Sequence, residues 1–96
     1  MRPAILLQQK RDEILRVASS HGVRDIRVFG SVARGDDTEQ SDVDFLVSLE
    51  QGRSLLDLGG LLMDLRDLLG CQVDVVTEGS LRSPAKEQIL REARAV

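Results

Sequence analysis

The sequence predicts an α/β fold of the α+β kind: a small mixed sheet of three strands, or slightly more, covered by helices. Three short stretches rich in Val, Ile and Phe alternate apolar with polar residues, and helical stretches separate them. The 96-residue length suits a single domain, residues 1–96, built around one core. Phe29 and Phe45 are the only aromatic residues, so that core is aliphatic.

The first element expected is one helix from about Ala4 to Ser20, with Leu7, Ile14, Val17 and Ala18 on one stripe. His21-Gly22 closes it, because Gly turns left-handed without steric cost, and His21, the only histidine, takes a helix-end role. "VRDIRVFG" is the first strand, with Ile26 and Val28 on one face and Arg27 and Phe29 on the other. "SVARG" forms a short helical turn, and "SDVDFLVSL" is the second strand. A leucine-rich helix runs from about Ser54 to Leu69 and stops at Gly70; "CQVDVVTE" is the third strand. Ser83 as N-cap and Pro84 in the first turn open a last helix to about Ala95. The order is therefore α-β-(short α)-β-α-β-α.

Composition excludes several function classes. The net charge of −3 and the lack of Trp and Tyr argue against direct nucleic-acid binding, which needs basic surface and stacking platforms. The apolar run "AILL" is too short for a signal-peptide core, and nothing approaches a membrane span. Cys71 is the only cysteine, so no internal disulfide forms; it reads as a small apolar residue beside a strand, and the expected location is cytoplasmic.

The stretch "VFGSVARGDDTEQSDVDFLV" carries the chemistry. Asp42 and Asp44 alternate with Val43, Phe45 and Val47, so the reading places both on one face of a strand, next to the core. Charge in that position is costly unless something pairs with it, and no basic residue lies beside them in sequence. A bound cation resolves the conflict. Asp74, between Val73 and Val75, supplies a third acid from a neighbouring strand. Gly30-Ser31, directly after the first strand, lets a ligand approach the backbone closely, and the turn offers unpaired amides and a hydroxyl to a phosphate. Carboxylates on neighbouring strands beside a phosphate-ready turn suit two-metal phosphoryl chemistry, in which Mg²⁺ takes carboxylates together with substrate phosphates.

Gly30, Ser31, Ala33, Arg34, Gly35, Ser41, Asp42 and Asp44 match the pattern G-S-x-A-R-G-x5-S-D-x-D, which resembles that of the polymerase-beta-like nucleotidyltransferase superfamily. With the Asp74 strand, the resemblance covers nearly the whole chain, and its length is similar to that of the minimal nucleotidyltransferases, antitoxins of HEPN–nucleotidyltransferase pairs. The resemblance implies the nucleotidyltransferase fold and transfer of AMP from ATP to a tyrosine of a HEPN ribonuclease toxin. It implies that Asp42, Asp44 and Asp74 hold Mg²⁺, two ions being expected, and that Asp74 helps deprotonate the acceptor hydroxyl. Gly30, Ser31, Arg34 and Ser41 would bind the nucleotide, Arg34 either neutralising phosphate charge or bracing the loop. The alternative is a non-catalytic antitoxin that neutralises its toxin by masking it. A homo-oligomer and a hetero-oligomer are both open.

In the leucine helix, Leu55, Leu58, Leu61, Leu62, Leu65, Leu68 and Leu69 fall within one arc wide enough to cover a sheet. Leu56 and Met63 lie outside it and form either an incidental exposed pair or a small contact patch for a partner or a second copy.

Overall fold

The alternating stretches pair into one sheet. The structure, a computed structural model, describes residues 1–96. Its elements are α1 (Pro3–Gln9), α2 (Arg11–Ser20), β1 (Val23–Phe29), α3 (Ser31–Arg34), β2 (Val43–Leu49), α4 (Leu55–Leu69), β3 (Val73–Thr77), α5 (Ala85–Glu92) and β4 (Arg94–Ala95). A single 3-10 turn, Glu78–Ser80, follows β3. The strand order is β3-β2-β1-β4. β1 is antiparallel to β2 and to β4, whereas β2 and β3 are parallel and α4 connects them. The mixed sheet is as expected, with one strand more than the three counted from the sequence.

Strand periodicity gives the sheet two unlike faces. Ile26, Val28, Val43, Phe45, Val47 and Val73 point to one of them and join Leu7, Ile14, Ala18, Leu61, Leu65 and Leu69 in the buried core. Helices α1, α2 and α4 thus cover that face, and no apolar residue of α5 joins the cluster. The residues between them, Arg27, Phe29, Asp44, Leu46, Asp74 and Val76, face the other way. Register sets Phe29 opposite Asp44, Arg27 opposite Leu46, and Asp44 opposite Asp74. The candidate site is built on this second face.

α4 follows its sequence closely. Leu61, Leu65 and Leu69, four residues apart, form the fully buried stripe, with Leu58, Leu62 and Leu68 half-buried against it. Ser54 Oγ accepts the Leu56 N–H at 3.2 Å and Asp57 accepts the Ser54 N–H at 3.0 Å. Such a reciprocal cap contributes on the order of 1 kcal/mol. Gly70 ends the helix in the left-handed conformation, as expected. Leu55 departs from the expected stripe: as the first helical residue it overhangs the sheet and is 83% exposed.

Leu56 and Met63 are exposed, by 87% and 57%. Changing both to Asp should therefore leave the circular-dichroism spectrum and melting temperature of the chain essentially unaltered. Weakened co-elution with a protein partner would place this patch in the interface. Unfolding would show instead that the two side chains belong to the core.

Four other expectations are corrected. The first helix is two, α1 and α2, separated by a turn at Lys10. α1 is anchored elsewhere: Ala4 N–H donates to Asp37 Oδ2 at 3.0 Å, so tertiary contacts rather than a Pro or Gly set the break. The last helix ends at Glu92, and Arg94–Ala95 returns to the sheet as β4 against Arg27 and Val28. Ser83 does not cap α5; its hydroxyl donates to the Glu87 carboxylate at 2.6 Å, and Pro84 holds the cap position. Asp42 lies one residue before β2 rather than within it. His21 does sit at the end of α2, where its Nε2 pairs with Asp64 Oδ2 at 2.6 Å and joins α2 to α4. Gly60 leaves room for that ring, since a Cβ there would stand 2.8 Å from His21 Cε1.

Candidate active site

β1 ends at Phe29, and the chain turns at Gly30 with φ of +74°, a conformation that favours glycine. Space requires glycine as well, because a Cβ at Gly30 would lie 2.5 Å from Asp44 Oδ2. The Gly30-Ser31 backbone thus passes directly against a carboxylate of β2. Ser31 begins the one-turn helix α3, and Gly35 ends it with φ of +79°. The spacing of the two glycines is what lets so short a helix turn in and out of this corner.

The segment from Asp36 to Asp42 is pinned rather than loose. Asp37, whose side chain is wholly buried, accepts the Ala4 N–H and has Arg2 3.8 Å from its other oxygen. Ser41 Oγ accepts the Thr38 N–H at 2.8 Å, and Ser41 N–H returns to the Thr38 carbonyl at 3.0 Å. Ser41 therefore shapes the approach to Asp42. Val43 N–H then bonds the Gln72 carbonyl, which brings Asp42 alongside the start of β3.

Three carboxylates share this corner. Asp44 and Asp74 are register partners, each the second residue of its strand. Asp44 is half-buried, while Asp42 and Asp74 are exposed, so only one of the pair first read as buried in the strand is enclosed. Burial pushes the Asp44 carboxyl above its ordinary value; the charges of Asp74 and then Asp42 push it further, and Arg34 partly counters them. All three acids thus interact electrostatically. They do not close into a ready-made cage: no group of three acidic, His or Cys side chains is drawn tightly enough to hold an ion unaided. Like charges without a counterion spread apart, and a hard cation that takes some of its oxygens from substrate requires only part of its shell from protein. An all-carboxylate donor set with mutual repulsion fits such an ion.

Arg34 lies on the same corner. Its Nε donates to Asp36 at 3.3 Å and its Nη1 to Glu92 at 3.1 Å, and Asp36 is the stronger influence holding the guanidinium charged. Asp36 and Glu92 had no signal in the sequence, and Glu92, 58 residues from Arg34, meets it only through tertiary folding. Cys71 packs against the core, and burial, followed by the charge of Asp42, raises its thiol above the ordinary range. It is therefore no nucleophile.

The two clefts of appreciable size, about 390 and 350 Å³, both flank Arg11, Ala95 and Val96, and although the second reaches Val32 and Ala33 of α3, neither is lined by Asp42, Asp44 or Asp74. The acidic corner is open and shallow. Such a surface leaves Asp42 and Asp74 accessible from solvent.

The architecture defines a class: a small α/β transferase fold in which acids at the starts of two parallel strands face a Gly-Ser turn. The chain belongs to the nucleotidyltransferase domain family, whose profile matches residues 11–96. A protein of Methanocaldococcus jannaschii, provisionally named a protein adenylyltransferase, is 40% identical over 87 residues, which span 91% of this chain and 94% of that protein. The protein adenylyltransferase MntA of Thermococcus cleftensis is 49% identical over 71 residues, spanning 74% and 72% of the two chains. A solved structure provisionally described as a minimal nucleotidyltransferase superposes with a TM-score of 0.85 at 45% identity, covering 97% of this chain and 95% of that one. At 21% identity, a toxin–antitoxin crystallised with AMP-PNP shares the fold, with a TM-score of 0.74 over 88% of this chain and 69% of that chain.

Proposed function

We propose that this chain is an antitoxin that transfers AMP from ATP, with Mg²⁺, to a tyrosine hydroxyl of a HEPN-type ribonuclease toxin. The observation that carries the reading is the register pair Asp44–Asp74 beside the Gly30 turn, paired acids and a close backbone turn at one corner. The names of the M. jannaschii and T. cleftensis relatives support a protein acceptor, and the solved toxin–antitoxin of the same fold supports a toxin as that protein. The whole of residues 1–96 acts as one nucleotidyltransferase domain in the cytoplasm, alone or in complex with its target, with no role for nucleic acid as a direct ligand.

In this reading Asp42, Asp44 and Asp74 hold Mg²⁺, which when bound neutralises phosphate charge and makes the acceptor oxygen more acidic. Gly30, Ser31, Arg34 and Ser41 orient the triphosphate by hydrogen bonds and charge. Asp74 lies on the edge strand β3 and is exposed, so a hydroxyl of another protein reaches it from outside the sheet. Asp74 takes the tyrosine proton as the phenolic oxygen bonds the α-phosphorus. The bond from that phosphorus to the bridging oxygen breaks, and pyrophosphate departs with the electron pair.

The test is the intact mass of the co-encoded toxin after incubation with this chain, ATP and Mg²⁺. A gain of one or more AMP units is expected. Tight binding with unchanged toxin mass would establish the masking mechanism in its place.

A further inference from the structure

Glu92, the last residue of α5, stands apart from the other acids of the chain in where its charge goes. Its Oε1 accepts from Arg34 at 3.1 Å, and its Oε2 accepts from the Gln88 amide at 3.1 Å. The side chain is 18% exposed, whereas Arg34 is 46% exposed, so the carboxylate is the fixed member of the pair and the guanidinium the accessible one. Two residues further on, β4 locks against Arg27 and Val28, immediately before the Gly30 turn. The end of α5 is therefore held rigidly at the one place where the turn and Arg34 meet.

We infer that Glu92 is a positioning residue for nucleotide binding: it presents Arg34 to the triphosphate in a preset geometry. The inference rests on the nucleotide reading given above, but it concerns a residue outside the motif. A guanidinium has five donors in a fixed fork. With Nε committed to Asp36 and Nη1 to Glu92, the remaining donors point in one direction instead of sweeping through the rotamers of a long side chain. Ordering done in advance need not be done on binding, which is how a residue that touches no ligand adds affinity. Glu92 is not a catalytic residue in this account, since it acts only through Arg34.

A double-mutant cycle tests it, with Mg-ATP affinity of the isolated chain measured by titration calorimetry so that no acceptor is needed. Glu92→Gln keeps the shape and removes the charge. It should weaken Mg-ATP binding about tenfold, the scale of one charge-assisted hydrogen bond. In an Arg34→Gln background the same change should cost less than about twofold, because the group it acts through is gone. Gln88→Ala, on the exposed side of α5, removes the amide that steadies Glu92 Oε2 while leaving the carboxylate itself in place, and should give a smaller loss of about two- to threefold, again only with Arg34 present. Melting temperature of the unliganded variants reports the fold separately. An Arg34-independent loss would make Glu92 merely structural, and unchanged or tighter binding would overturn the inference outright. Failure of the parent chain to bind Mg-ATP would overturn the nucleotide reading together with it, whereas parent binding with either of the other outcomes removes only the role of Glu92.

Discussion

On the function proposed above, Asp44→Asn should reduce AMP transfer by about 10²- to 10³-fold, because it removes a carboxylate that would hold an ion worth several kcal/mol of transition-state stabilisation. The fold should survive, and without Mg²⁺ it should be equally or more stable than the parent. The sign follows from the raised proton affinity of Asp44, caused by burial first and then by Asp74 and Asp42. A carboxyl that holds its proton more tightly folded than unfolded favours the folded state while protonated. That contribution is fully present below the unfolded value, near 3.8, and is lost as pH rises through the higher folded value. At neutral pH the parent therefore carries a half-buried charge, only partly countered by Arg34, that Asn lacks. Melting curves of the two proteins in chelator across pH 4–8 check this: any advantage of the variant should be greatest at neutral pH and vanish in acid. Retained transfer with a clear fall in melting temperature would make Asp44 a structural residue.

Asp74→Asn should lower turnover by about 10²- to 10⁴-fold, the range for losing a general base, while ATP affinity falls only slightly. The asymmetry is geometric. Asp74 is on the edge strand β3, whereas the Gly30-Ser31 turn and Arg34 are on the β1 side of Asp44, beyond the central strand β2. In the proposed function, nucleotide and acceptor would thus approach from different sides of one carboxylate. Calorimetric Mg-ATP titration beside a single-turnover transfer assay separates the two effects, and a collapse of affinity as large as the collapse of turnover would refute the division.

The candidate site was legible in the sequence to the extent that its groups are local. Gly30, Ser31, Arg34, Ser41, Asp42 and Asp44 fall within fifteen consecutive positions, and period-two alternation placed Asp44 and Asp74 on strands, where they turned out to be register partners. α4 was legible because Ser54, the leucine stripe and Gly70 agree with one another. What stayed hidden depends on distant contacts. Arg94–Ala95 is too short to show any period and is a strand only because β1 offers its edge. The turn at Lys10 has no breaker residue, and its cause, the hold of Asp37 on α1, lies 33 residues from Ala4. Glu92 looked like one more charge on an amphipathic helix, and only its contact with Arg34 distinguishes it.

The parallel pairing of β2 with β3 has a consequence for the order of folding. β1 and β2 form an antiparallel pair through local chain closure, but Asp44 can meet Asp74 only after the whole of α4 has crossed between them. Non-local pairing of this kind is slow, since loop-closure entropy precedes any reward. Arg34 waits longer still, for Glu92. A nascent or nicked chain that lacks its last third would therefore hold the full Gly-Ser-to-Asp motif and yet no assembled site. Enzymatic competence arrives at the end of folding, with no partly active intermediate on the way.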